Sequence, residues 1–338
     1  MDKYGEWHLG LGDLPRLLMK AELKPVQGDR FQPTGFPDLG AAEYTSPDGV
    51  QMMLVESAQS MANRFESVCW DKREQKLVQP LKGTPYINVD LDGLYSRLKE
   101  EQAKKDGKSY IHVDLDGERS FTNSILEAHR INSMYITGKK RQKDFNKVLR
   151  KEIGYDITKP VSFKAFYKTL LKYDPNCLVH GVFLEEIGGR LRVPRTLSAF
   201  IEASGVRPVQ SGGVKFSHVA PAVKGGEGNV PYSRTEFTAE SITAYFNLDL
   251  ASIRGYGLGA EAERYLVAMS LYKVRRFLRE GLRLRTACDL RLLDVLRVTN
   301  VEDLEVPSVA ELETALPDLI QECNAKGYFA DPPITQLK

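Results

Sequence analysis

The hydrophobic and polar positions change period several times along the 338-residue chain. Val50–Glu56 (VQMMLVE) is a short apolar run that predicts a strand. Ser57 then caps a predicted helix to Cys69, with Met61, Phe65 and Val68 at helical spacing. Ile242–Leu250 alternates as a strand. The strongest predicted helix is Ala260–Glu280, with a stripe at Val267, Leu271, Val274 and Leu278 and a second face of Arg264, Ala268, Tyr272, Arg275 and Arg279. Gly281 ends it, and Leu282–Thr286 follows as a strand with leucines on one face and Arg283 and Arg285 on the other.

Elsewhere the signals are weaker. Residues 1–48 are rich in Gly and Pro and predict loops. Tyr86-Ile-Asn and Tyr110-Ile-His each run into a Val-Asp-Leu-Asp-Gly echo, at Val89–Gly93 and Val113–Gly117, and predict two strands ending in turns. Residues 122–137 predict a helix through at least Ile131, and Asp144–Ile153 and Ser162–Lys172 predict two more. Asn176–Leu184 reads as a buried strand and Arg195–Ala203 as a short helix. Val206–Ala220 is β-prone but interrupted by Ser211-Gly-Gly213, and Lys224–Asn229 reads as a loop. Residues 289–298 and 308–325 predict a short and a longer helix. Strands and helices without regular βα repetition predict an α+β fold.

Composition adds little: 42% hydrophobic and 27% charged residues are ordinary globular usage. No apolar run reaches the ~20 residues of a membrane helix. The opening MDKYGEWHLGLGDL lacks a signal-peptide layout, so a soluble, cytoplasmic protein is expected, with no membrane partner. The four cysteines lie far apart with no Cys-x-x-Cys pair, and reduced, buried thiols are expected. Charge changes the picture more. The net charge is only +2, yet residues 302–322 hold seven acids and no base, which leaves +9 on the rest. Residues 130–151 hold eight bases and one acid, and residues 273–297 hold eight bases and three acids. Such segments are either solvated faces or phosphate-binding surfaces.

Candidate chemistry is sparse. Gly255-x-Gly-x-Gly259, read as lying between a strand and a helix, suits a tight turn or a phosphate seat, but it is neither a dinucleotide fingerprint nor a P-loop. Asp90, Asp92, Asp114 and Asp116 in the two echoes suit ordinary Asp-Gly turns, or carboxylates paired around a divalent ion in a metal-dependent ribonuclease. No Gly-x-Ser-x-Gly or His-Glu-x-x-His motif occurs. Cys177 and His180 fall on opposite sides of the predicted strand, so no Cys–His dyad is expected. Polar and basic clusters are more suggestive: Gln59, Ser60, Asn63 and Arg64 on the first helix; Arg190, Arg192 and Arg195; Lys215 and His218 after a glycine pair; Tyr232 and Arg234. Amides, hydroxyls and guanidiniums of this kind hold sugar–phosphate chains.

Several long runs resemble one family. They are Leu54–Glu66, Ser124–Asn132, Leu178–Phe183, Ser211–Lys215, Ile242–Leu250 through Arg254–Gly259, and Arg283–Leu290. Together they resemble the CRISPR-associated RAMP backbone subunit of type I-G (formerly I-U) systems, over about Phe36 to Leu290. The resemblance implies a ferredoxin-like, RNA-recognition-motif-type palm with large insertions, including a β-hairpin thumb. On that reading 1–338 is one RAMP-type domain, with palm elements in 50–70 and 242–290. Insertions occupy 71–121 and 206–236, the latter placed as the thumb by its glycine-rich loops, and 302–325 is an acidic helical tail.

The resemblance further implies a non-enzymatic subunit without a cofactor that polymerises head to tail along the CRISPR guide RNA. It would present the guide for pairing with target DNA, beside a large subunit and a fused repeat-processing subunit. An acidic C-terminal segment meeting a basic face of the next copy would favour that contact. The expected RNA contacts are Gln59, Ser60, Asn63 and Arg64 on the first helix, Lys215 and His218 in the loop, and His129, Arg130, Arg254, Arg283 and Arg285 as supporting bases.

Overall fold

The computed structural model describes residues 3–36, 39–93, 120–138, 143–185, 187–189, 191–216 and 229–337. The second Val-Asp-Leu-Asp-Gly echo, Arg190, His218 and most of the 224–229 loop lie outside them.

Helix α1 (Lys3–Gly10) leads into β1 (Arg16–Pro25), a ten-residue strand where loops are predicted. Its burial alternates, with Leu17, Met19, Ala21 and Leu23 inside, so one face meets a core that the local Gly and Pro content conceals. Short strands β2 (Gly35–Phe36) and β3 (Gly40–Ala41) pair with each other, as do β4 (Glu43–Thr45) and β5 (Gln51–Glu56). Helix α2 (Ala58–Ser67) starts where predicted, because Ser57 Oγ accepts from the Ser60 amide. A small hairpin, β6 (Trp70–Asp71) with β7 (Lys76–Leu77), precedes β8 (Tyr86–Asp90), which pairs with β9 (Phe121–Asn123).

The helix predicted over 122–137 is instead β9 followed by turns and one 3-10 turn at Arg130–Asn132. Asn123 Oδ1 accepts from the amides of Ile125 and Leu126, and Glu127 holds the Thr122 and Ser133 hydroxyls. Such local side-chain bonds compete with the helix ladder. Helices α3 (Lys143–Ile153) and α4 (Phe163–Tyr173) match the sequence reading. The predicted buried strand 176–184 is one helical turn, α5 (Asn176–His180), then β10 (Val182–Leu184), which pairs with β11 (Leu191–Val193). Asp174 Oδ1 caps the turn through the Asn176 amide, and Gly181 at φ +78° breaks it. A Cβ at Gly181 would lie 2.8 Å from the Val193 carbonyl oxygen, so only glycine fits there.

The predicted helix 195–203 is the strand β12 (Leu197–Ser204). Its inward set of Leu197, Ala199, Ile201 and Ala203 has period two, and strands lie on both sides of it. A hairpin of β13 (Arg207–Phe216) and β14 (Asn229–Thr238) pairs over ten residues. Then come β15 (Ser241–Asp249), α6 (Leu250–Gly255) and α7 (Ala260–Glu280). The glycine loop thus joins two helices rather than a strand and a helix. Gly259 at φ +109° packs under Tyr328, whose hydroxyl would lie 2.7 Å from an added Cβ. Strand β16 (Arg283–Arg285) lies within the strand predicted over 282–286, whereas β17 (Cys288–Leu292) and β18 (Arg297–Val298) replace the helix predicted over 289–298. The chain closes with α8 (Val309–Ala325), started by the Ser308–Glu311 capping box, and β19 (Ile334–Leu337), parallel to β8.

The main sheet is antiparallel, in the order β16-β17-β1-β15-β12-β5-β4, with β18 also on β1. The fold is therefore mixed α and β around an antiparallel sheet. One face of that sheet packs on α2 and α7, and every residue of α7 from Tyr265 to Val274 is buried. The second α7 face is partly interior: Ala268 and Tyr272 are buried, Arg264 and Arg275 half-buried and Arg279 exposed. Its arginines face the acidic tail of the same chain: Arg264 pairs with Glu322, Arg279 with Glu313, and Arg275 donates to the Pro307 carbonyl. Part of the acidity expected to meet a neighbouring copy is thus neutralised internally. All four cysteines are buried free thiols.

Candidate nucleic-acid interface

The first turns of α2, the segment 127–135 and the β10–β11 hairpin enclose a groove of about 890 Å³. Capping by Ser57 sets α2 so that Gln59 and Asn63, both exposed, face this groove. The 3-10 turn supplies exposed His129, and β11 and its exit supply Arg192 and Arg195. The fold therefore gathers four of the predicted residues, Gln59, Asn63, His129 and Arg130, with two arginines noted in the sequence only as a local cluster. That grouping is invisible in the sequence, because the three segments lie far apart along the chain.

Three groove-lining side chains have buried polar atoms without a hydrogen-bond partner: Arg195 Nε, Asn132 Oδ1 and His180 Nδ1. Arg195 is half-buried, and both burial and the charge of Arg130 hold its guanidinium below the usual range. An anion in the groove relieves both effects. Arg192 lies over the Phe183 ring at 4.9 Å, which fixes its fork at the rim.

Beneath the groove lies a buried polar network. Arg130, 5% exposed and at φ +53°, binds Glu66 through Nε at 2.6 Å and Nη2 at 2.9 Å and donates to the Gly181 carbonyl. Burial pushes the Glu66 carboxyl up to about 7, against the pull of Arg130 and Lys273. Lys273 Nζ, fully buried on α7, bonds His180 Nε2 at 2.8 Å and Asn176 Oδ1. A protonated Lys273 can only donate to Nε2, which places the proton of a neutral His180 ring on Nδ1, the atom without a hydrogen-bond partner. Cys177 and His180 lie on one helical turn, not on opposite strand faces, yet Cys177 Sγ donates to Asp174 and not to His180.

Burial, Lys273, Arg130 and Arg195 together hold the His180 imidazole well below its ordinary value of 6.5. A folded-state pKa below the unfolded one gives stability that is present above 6.5 and lost as pH falls toward the folded value. Wild-type protein should therefore lose up to about 1.4 kcal/mol per pH unit below that point relative to His180→Gln. Urea midpoints of both proteins between about pH 7 and pH 5 measure this. Parallel midpoints would overturn the assignment.

The other predicted residues sit elsewhere. Arg64 and Arg285 converge on buried Glu56, at 2.9 and 2.6 Å, and also donate to the carbonyls of Leu284 and Gln32 respectively. Arg254 ties α6 to the Gly12, Asp13 and Leu14 carbonyls. These three guanidiniums brace the sheet and its N-terminal approach. Arg283 is exposed on β16, and Ser60 is half-buried in the first turn of α2. Lys215 is paired with Val230 in the β13–β14 hairpin, and His218 lies outside the described residues. Asp90 Oδ1 accepts from the amides of Asp92 and Gly93 and holds the local turn, and Asp92 accepts from the Ser120 amide at the start of β9, so both carboxylates are engaged by main-chain amides. Asp114 and Asp116 lie outside the described residues. Among the described residues no cluster of three or more His, Cys, Asp or Glu could hold a metal ion.

The fold and the groove together define a mixed α/β protein with a concave, cation-lined face. A family model described as CRISPR-associated protein GSU0053 matches residues 17–208, more than half of the chain, and the chain belongs to that family. No curated protein sequence matches. Among solved structures, a chain of a "CRISPR RNA-guided surveillance complex, pre-nicking" is similar at 13% identity and TM-score 0.42, covering 92% of this chain and 89% of that one. The crystal structure of Thermofilum pendens Csc2 is similar at 10% identity and TM-score 0.31, covering 93% and 79%. No helix among the described residues is long and apolar enough to cross a membrane.

Proposed function

We propose that this chain is the guide-RNA-binding backbone subunit of a type I, specifically type I-G, CRISPR surveillance complex. Its core acts as a ferredoxin-like palm, and the β13–β14 hairpin as a thumb. Copies assemble head to tail on the guide and present it to target DNA, beside a large subunit and a fused repeat-processing subunit. The subunit holds RNA and does not cut it. The observation that carries this reading is the groove, where buried Arg195 Nε has no hydrogen-bond partner and Arg192, His129, Gln59 and Asn63 converge beside it. Guanidiniums and amides without protein partners suit a phosphodiester chain.

Binding to single-stranded RNA should be salt-dependent, because each neutralised phosphate releases counterion. Arg192→Gln/Arg195→Gln should lower the slope of log K against log salt by roughly 1.4, and affinity at about 0.1 M salt by about 25-fold, the counterion effect of two contacts. Fluorescence anisotropy across a salt series measures both. Folded protein without RNA affinity at low salt, alone and with its partner subunits, would overturn the proposal.

A further inference from the structure

The main sheet has a second face, which no described helix covers. On it one cross-strand row runs through four residues. Arg297 lies opposite Lys20, Lys20 opposite Tyr245, and Tyr245 opposite Phe200. The rings of Tyr245 and Phe200 stack, with centroids 5.2 Å apart and planes at 29°, and remain 37% and 36% exposed. Two cations are therefore followed, at one-strand intervals, by two partly open aromatic faces. The next row toward the hairpin end is acidic, with Glu22 and Glu202 flanking Thr243, and Tyr44 donates to Glu202 at 2.5 Å. On the other side lies a near-neutral row of Leu18, Asn247 and Ser198.

We infer that this row is a second nucleic-acid site, separate from the groove, which takes unpaired bases of a single strand. Lys20 and Arg297, the latter also holding Asp294, face the phosphates, and Tyr245 and Phe200 stack the bases. Charge gives the occupant. An approaching strand meets positive charge beside the rings, and the Glu22–Glu202 row repels phosphates and confines the backbone to the Lys20 side. A base has a π-face whatever its sequence, so the site is sequence-tolerant. A partner protein docking on the same face is the competing outcome.

The test uses full-length protein with single-stranded RNA, and DNA of the same sequence, carrying 2-aminopurine, a base whose fluorescence is quenched on stacking. A matching strand with abasic sites removes the bases and keeps the phosphates. Wild-type protein should quench the probe and bind the abasic strand about 5- to 150-fold more weakly for each stacked base lost. Quenching of RNA alone, DNA alone or both identifies the source of the strand. Phe200→Ile/Tyr245→Ile keeps β-branched residues in the strands and should lose the quench, while Tyr245→Phe should keep it. Lys20→Gln should lower the salt slope by about 0.7 and leave the quench in place.

Equal binding of intact and abasic strands without quenching would overturn the site and leave the groove standing. That comparison is made on wild-type protein and does not depend on any variant folding. Binding to neither strand would overturn both. A double variant that changes only the mass of the protein in solution, with quench and affinity kept, would show the face to be a protein contact and overturn the inference.

Discussion

Removing residues 1–25 will abolish cooperative folding. Strand β1 lies inside the main sheet, paired with β15 over eight residues on one side and with β17 and β18 on the other. Deleting it splits the sheet into two pieces with raw edges. It also uncovers the partners of Leu17, Met19, Ala21 and Leu23, each no more than 2% exposed. Burying each of the three large side chains is worth about 1.5–3 kcal/mol. Their loss, with two rows of ladder hydrogen bonds, is comparable with the ~5–15 kcal/mol that stabilises a whole domain. The segment before β1 is tied in as well: Tyr4 donates to the Arg264 carbonyl, and Trp7 Nε1 to the Glu305 carbonyl. Circular dichroism and urea titration of the truncated chain check this. A cooperative transition at the full-length midpoint would show that β1 is dispensable. Leu17→Ala, a milder form of the same test, should cost about 2–5 kcal/mol.

Arg130→Met should destabilise the protein by about 3–5 kcal/mol, the usual penalty for leaving one member of a buried ion pair alone. Glu66 is 2% exposed, and its two oxygens are bonded by the same guanidinium. With the guanidinium gone, the carboxyl has to remain charged in a dry site or take up a proton, and either is unfavourable. The 3-10 turn would also lose the bond from Arg130 to the Gly181 carbonyl, which ties the groove's wall to its floor. Arg130→Met/Glu66→Leu removes both charges and should recover most of the stability, because apolar packing can replace a buried pair. Urea unfolding of the wild type, Arg130→Met, Glu66→Leu and the double variant gives the coupling energy. Single and double variants of equal stability would show that the pair is not the source of the loss. The groove should also suffer in the single variant, since His129 and Asn132 flank Arg130 and line it.

These two sites show how much of the fold was legible. Elements whose apolar period is strong and whose ends carry caps, such as α2 after Ser57, α7 before Gly281 and α8 after Ser308, lie where the sequence places them. Where tertiary partners decide, the sequence reading fails. The sequence of β12 predicts a helix although Leu197, Ala199, Ile201 and Ala203 alternate, since four small and branched residues suit either period until strands flank them. Strand β1 lies in a segment whose glycines and prolines predict loops. The 176–184 run is apolar enough for a buried strand, but Pro175, Asp174 and Gly181 fold its first half into a helical turn.

The candidate site divides in the same way. The polar face of α2 was legible from spacing, and so were basic residues in the 129–130 and 190–195 segments. Which cations face solvent was not. Arg64, Arg254 and Arg285 look equally available in the sequence, yet Glu56 and main-chain carbonyls take them up. Arg195 keeps its buried Nε without a hydrogen-bond partner.

The sequence by itself determined the helices with strong periods and caps, the mixed composition of strands and helices, and the segregation of basic from acidic segments. Each of these is a local property, set by neighbours within a few residues. Only the tertiary structure decided that an N-terminal strand would lie inside the sheet, which arginines would be neutralised, and that α2, the 129–135 segment and β11 would meet around one groove. Those outcomes depend on contacts between residues far apart in the chain. A guanidinium has the same charge wherever it lies, and only the carboxylates and carbonyls that folding brings to it decide whether it stays available to a ligand.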